Sequence, residues 1–209
     1  MSIQSTSIPG SAHNQQTTLI PSQLGVMEAA RAVWDLVGEE HINDFAVVGG
    51  AALLFHGSDI KTEDTDLAIT GKPFDKFCQL VKNDSRFVED PYGGPWRYHA
   101  TFGFDVLIDF LDKLGGGGYL PEMTGHCLID GVPVATLVDL ALLKGAAWVD
   151  RDEKKDLAGF DYALRRMAEA GLSFRGSGEI GKGILDKVVV KLQSSEKGKR
   201  VLGMITSLS

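Results

Sequence analysis

The chain has little cysteine, no long apolar run and no surplus of positive charge, and each shortage excludes a class. Only two cysteines occur in 209 residues. Cys78 and Cys127 have no metal-ligand spacing, and a pair so placed reads as free thiols rather than a disulfide framework. No stretch of 18 or more apolar residues exists, so no membrane span is expected. The N-terminus lacks a basic segment followed by an apolar one, so no secretion signal is expected and the chain reads as cytoplasmic. Net charge is −7. Affinity for long nucleic acids comes from clustered Lys and Arg that displace counterions, and a globally acidic chain lacks that footprint. The one local exception is the run 182–200, with Lys182, Lys187, Lys191, Lys197, Lys199 and Arg200 against Asp186 and Glu196. Its plainer reading is a solvated helix face, and its sharper one a contact with RNA.

What is present suits one α/β unit with a helical annex. Residues 1–22 are rich in Ser, Thr, Gln and Asn and read as a disordered tail, too polar to offset the entropy of ordering. Helical spacing appears over 24–37, and the apolar run 45–48 reads as a buried strand stopped by Gly49 and Gly50. A short helix over 51–56, a strand over 65–69 and a helix over 73–82 follow, the last with proline in its first turn. Strands are expected at 86–89, 96–101 and 104–111, then a loop at the glycine run 115–118. A hairpin is expected over 126–135 about Asp130-Gly131. Beyond it the pattern is helical at 137–148, 154–170 and 184–192. Strands first and helices afterwards predict an α+β fold, a mixed β-sheet flanked by helices and followed by a helical C-terminal part. The expected division is a core over 23–135 and a helical region over 136–209 packed on it.

The informative stretch runs from 45 to 69. A buried strand enters two glycines and a helix follows at once. Backbone N–H groups at a helix start are unpaired, and glycine lets a phosphate approach them closely. The chain then returns as a strand bearing Asp64 and Asp66. Strand residues two apart project from one face, so the two carboxylates stand side by side. They repel unless a cation lies between them, and magnesium prefers carboxylate and phosphate oxygens. The strand Phe104-Asp-Val-Leu-Ile-Asp-Phe-Leu111 offers a third acid on a neighbouring strand. Asp105 and Asp109 share one of its faces, and Asp109 lies deeper in the apolar run.

An Asp-x-Asp pair means little alone among 18 aspartates, and Asp150/Asp152 is another. The order carries the weight: apolar strand, Gly-Gly, short helix, Thr-x-Asp-x-Asp, then a later strand with an embedded acid. This segment resembles the signature of the DNA polymerase beta-like nucleotidyltransferase superfamily. Within it, the likeness is greatest to the minimal, abortive-infection-type toxin group. Thr62-Glu-Asp-Thr-Asp-Leu67 is similar to one motif of that group. Asp139-Leu-Ala-Leu-Leu-Lys-Gly-Ala-Ala147 and Asp150-Arg-Asp-Glu-Lys-Lys-Asp156 are similar to a second. Two positions depart: Ile60 stands where the family often has Arg, and Thr65 where it has an apolar residue.

The resemblance implies transfer of a nucleoside monophosphate from a triphosphate, ATP among the candidates, to a hydroxyl. The acceptor is left open between a small molecule, a tRNA end and a protein side chain. Asp64, Asp66 and Asp109 would be catalytic and hold magnesium, or manganese in its place. Gly49 and Gly50 would hold the β- and γ-phosphates with Ser58, Thr62 and Lys144. The alternative is a binding or regulatory module that kept the fold and lost the reaction. Lys144 also reads as a lysine laid along a helix, and Arg151, Lys155 and Asp156 as surface ion pairs. His56 and His99 read as core or hydrogen-bonded histidines, and Tyr92, Trp96 and Tyr98 as packing rather than base-stacking residues.

Overall fold

The computed structural model describes residues 19–91, 94–113, 119, 120, 123, 125–193 and 198–209. Residues 1–18 of the tail expected over 1–22, the loop at 115–118 and Tyr92 lie outside these residues.

Pro21 and Ser22, expected within a disordered tail, are helical instead. Helix α1 spans Pro21–Val37. Pro21 occupies the first turn, where a missing N–H costs nothing. The side chain of Gln23 accepts from the Ile20 N–H at 2.9 Å and donates to the carbonyls of Asp59 and Ile60. The helix start is thereby tied to the loop that precedes the acidic strand.

The chain then builds a seven-stranded sheet from β1 (Phe45–Val48), β2 (Asp64–Ile69), β3 (Phe87–Val88), β4 (Trp96–His99), β5 (Asp105–Asp112), β6 (His126–Ile129) and β7 (Val132–Ala135). Their spatial order is β3-β4-β5-β2-β1-β7-β6. The sheet is mixed. β1 runs antiparallel to β2 and parallel to β7, while β2 runs parallel to β5. All four residues of β1 are buried, as a central strand covered on both faces requires. The hairpin β6–β7 turns through Asp130 and Gly131, both at positive φ (51° and 79°), the backbone that an Asp-Gly pair favours.

Helices α1 and α3 (Gly71–Leu80) cover one face. Thr65 and Tyr98 point there: the Thr65 hydroxyl donates to the Val26 carbonyl at 2.9 Å, and the Tyr98 hydroxyl to Glu28 at 2.9 Å. Phe77 of α3 packs edge-on against Phe87 and Trp96. Both Trp96 and Tyr98 therefore belong to this packing layer. Helix α2 (Gly49–Phe55) follows β1 without a linker, so the two glycines form its first turn rather than preceding it.

Helices α4 (Leu137–Arg151), α5 (Lys154–Glu169), α6 (Gly178–Gln193) and α7 (Gly198–Leu208) complete the fold. Their apolar faces continue the core of the sheet as one cluster. A Cβ at Gly145 would lie 3.2 Å from both Phe160 and Val188, so that glycine permits close approach of α4, α5 and α6. Helix α6 starts two turns before its expected position, and α7 was not foreseen.

The basic run is not a free face. Lys182 pairs with Glu179 and Arg200 with Asp161. The Lys191 ammonium donates to the carbonyls of Trp148 and Val149 at the end of α4, and pairs with Asp152 at 2.7 Å. A lysine there complements the negative helix terminus. No helix among the described residues is long and apolar enough to cross a membrane.

Candidate active site

Three carboxylates meet at the exposed end of the central strands. In the parallel pairing of β2 with β5, Asp66 and Asp109 are register partners, and Asp64 lies opposite Leu107. The two-residue repeat puts Asp64 and Asp66 on the same face as Asp109. One oxygen from each carboxylate lies within 4.8 Å of the other two.

The other odd positions of β5 follow the same face. Asp105 pairs with His99 on β4 instead of joining the cluster. Among the described residues, no other group of three His, Cys, Asp or Glu side chains is arranged to share an ion.

The two glycines of α2 stand against this cluster. A Cβ at Gly49 would come within 1.8 Å of Asp66 Oδ2, and one at Gly50 within 2.6 Å of the Thr62 hydroxyl. Both are sub-contact distances. Gly49 also has φ +63°, a backbone that L side chains rarely adopt. Thr62 in turn donates a 2.7 Å hydrogen bond to Asp64 Oδ1 and fixes that carboxylate's orientation. Glycine, threonine and the two acids of β2 thus interlock.

The electrostatics show a cluster that lacks enough positive charge. Burial first, and the neighbouring Asp64 carboxylate second, push the Asp66 carboxyl up to about 6. Lys144 pulls it down, Asp109 pushes it further up, and the Gly50 N–H pulls against both. An all-carboxylate oxygen set in this condition fits a hard divalent cation.

Lys144 stands on α4 with its side chain only 13% exposed. Its ammonium pairs at 3.1 Å with Asp156, which is fully buried and also receives Arg151 at 2.9 Å. The expected surface pairing of Arg151, Lys155 and Asp156 is corrected here: Asp156 is the buried anchor of two cations, and only Lys155 stays outside, on Glu153. Ser58 is buried, with its hydroxyl accepting from the Ile60 N–H at 3.1 Å, so it is engaged within its own loop.

No protein-family model matches the chain, and no curated protein does. Solved structures do. An antigenic nucleotidyltransferase-like protein from Paracoccidioides brasiliensis superposes with a TM-score of 0.57 at 18% identity, over 85% of this chain and 91% of that one. The chain has a nucleotidyltransferase-like fold. The antibiotic-resistance factor ANT(2'')-Ia is a more distant likeness. Its solution structure gives a TM-score of 0.46 at 15% identity, over 82% of this chain and 95% of that one. Its complex with adenylyl-2''-tobramycin gives 0.47 at 14%, over 79% and 98%.

Proposed function

We propose that the chain is a divalent-metal-dependent nucleotidyltransferase that moves a nucleoside monophosphate from a triphosphate to a hydroxyl. The observation that carries this reading is the convergence of Asp64, Asp66 and Asp109 within 4.8 Å beside the Gly49–Gly50 turn, on a nucleotidyltransferase-like sheet.

In this reading the three aspartates hold magnesium, or manganese in its place. Divalent ions at such a site supply the charge that draws triphosphate and acceptor oxygens together and make a bound hydroxyl acidic. The chain's own groups do the rest. The Gly49–Gly50 turn receives the triphosphate, with the Gly50 N–H shared between it and the Asp66 carboxylate. Thr62 keeps Asp64 in its ligating orientation, and Lys144 offsets phosphate charge from behind Asp66. The acceptor oxygen attacks the α-phosphorus as the bond to the α,β-bridging oxygen breaks and pyrophosphate departs. The hydroxyl proton passes to Asp109, the most exposed of the three acids.

A module without catalysis was suggested by Ile60 and Thr65. Thr65 is fully buried on the opposite face and bonded to α1, and Ile60 packs against the core, so neither departure touches an acid. The pairing of Lys182, Lys191 and Arg200 within the chain also leaves little for a long nucleic acid. A small molecule, a protein side chain or a tRNA terminus remains as acceptor.

Incubation with each α-labelled triphosphate, magnesium and total cell extract tests the proposal. Label is expected to move to one class of acceptor, and Asp66→Ala is expected to abolish the movement. No transfer with any triphosphate, together with no magnesium-dependent nucleotide binding, would sink it.

A further inference from the structure

A cavity of about 520 Å³ opens at the C-terminal end of α2. His56, which follows α2, lies on its wall, and a seven-residue helix separates it from Gly49 by about 10 Å. The wall also includes Thr136, Leu137 and Val138 from the start of α4, Cys127 from β6, and Arg175 and Ser177 from the turn before α6.

Two long helices begin here. Thr136 caps α4 by accepting from the Asp139 N–H, while the N–H groups of Leu137 and Val138, in the same first turn, have no acceptor among the described residues. Helix α6 begins one residue after Ser177. First-turn amides carry the positive end of the helix dipole. Ser177 is the independent sign of a ligand. It is 8% exposed, and its hydroxyl has no hydrogen-bond partner among the described residues, although its N–H donates to Phe174. No fully occluded polar side-chain atom among the described residues lacks a partner, so this hydroxyl, on a residue that lines the cavity, is not sealed from solvent.

The charge around it has one sign. Among the described residues no acidic side chain lines the cavity, in a chain of net charge −7. The exposed Arg175 guanidinium makes no ion pair with any described acid, and only its backbone N–H is engaged, with Ser173. Leu137, Val138 and Leu172 add an apolar wall beside these donors.

We propose that this cavity is a second ligand site, built for the phosphate group of a small molecule. Arg175, the Ser177 hydroxyl and the first-turn amides of α4 bind the phosphate, and the leucine and valine wall receives the body that carries it. Convergent helix starts with a guanidinium form a recurrent phosphate-binding chemistry. The site takes no part in the carboxylate chemistry, and the inference stands whether or not the transfer proposed above occurs.

The two native cysteines provide the test. Cys127 lines the cavity, whereas Cys78 lies on α3 and serves as an internal reference. Alkylation of each is followed by peptide mass spectrometry on the full chain in EDTA, so that no divalent ion assists binding at the aspartates. Inorganic phosphate and phenyl phosphate are the probes, which separates free phosphate from an ester with an apolar body. Both are expected to slow alkylation of Cys127 and leave Cys78 unchanged, with phenyl phosphate acting at the lower concentration. Arg175→Gln is expected to raise the half-protecting concentration about tenfold, the loss of roughly one charge-assisted bond. Ser177→Ala is expected to raise it less, and Asp66→Asn to leave it unchanged. Absence of protection, equal protection of Cys78, or protection that persists in Arg175→Gln overturns the site. Equal potency of the two probes overturns the apolar wall's role.

Discussion

Asp66 lies so close over Gly49 that a single added methyl group would enter its carboxylate, at 1.8 Å from Oδ2. The glycine is required by the acid as much as by any phosphate. Gly49→Ala therefore has two costs: a positive φ, about 1 to 2 kcal/mol for an L residue, and displacement of Asp66. The variant is expected to fold with a lowered melting temperature and to lose its magnesium-dependent melting shift. A variant that melts lower yet keeps the full magnesium response would show that Asp66 tolerates the intrusion.

Asp66 is also a source of instability in the metal-free protein. Its carboxyl is raised to about 6 by burial and by Asp64. A folded-state value above the unfolded value of about 4 means that the folded form binds the proton more tightly. Stability is thus gained as pH falls from about 7 toward 4 and lost as it rises through 6. Asp66→Asn is expected to stabilise the metal-free chain by about 1 to 3 kcal/mol at neutral pH and to flatten this dependence. It would at the same time abolish binding of magnesium. Chemical denaturation at two pH values in EDTA measures both effects, and a neutral-pH loss of stability in the variant would contradict the electrostatic account.

The legibility of the molecule in its sequence follows where the physics is local. Strand β1, the Gly-Gly stop, the Asp130-Gly131 hairpin and the shared face of Asp64 and Asp66 are written in spacings of two to four residues. Pairing of β2 with β5 is not: Asp66 and Asp109 are 43 positions apart, and the partner strand had to come from resemblance and burial. The first turns of α6 were hidden by Gly178, Gly181 and Gly183, glycines that lower helix propensity. At Gly181 an added Cβ would meet Ser177 and Leu142, so packing sets the residue there. Helix α7 carries a helical signal in Val201, Ile205 and Leu208, all buried, but it is short and adjoins a basic run that also suits a solvated face. Asp156 was misplaced at the surface because nothing in sequence shows that two cations converge on it.

Asp105 and Asp109 share a face of β5, and the structure separates their roles. Asp109 meets the acids of β2, while Asp105 is held by His99. Asp109→Asn is expected to lower turnover at least a hundredfold, in the range typical for a general base or metal ligand, and Asp105→Asn less than about threefold. Steady-state rates, with magnesium-dependent melting as a readout independent of the acceptor, check the contrast. Equal losses in the two variants would place the centre elsewhere on the strand.

Lys144 and Asp156 provide the last contrast. Asp156 is inaccessible to solvent and holds Lys144 at 3.1 Å and Arg151 at 2.9 Å, across the junction of α4 and α5. Removing one partner of a buried pair leaves the other charge uncompensated, so Asp156→Ala is expected to destabilise the fold by about 3 kcal/mol or more. Lys144→Met should cost less, because Arg151 still satisfies Asp156 and the methionine preserves the packing against Gly159. Lys144 also lowers Asp66, so its loss should raise the Asp66 carboxyl further and weaken nucleotide binding through charge rather than through unfolding. Denaturation midpoints and nucleotide titrations on the two variants separate these effects. Lys144→Met is expected to leave stability nearly intact while raising the nucleotide dissociation constant, and the reverse pattern would assign the lysine to packing alone.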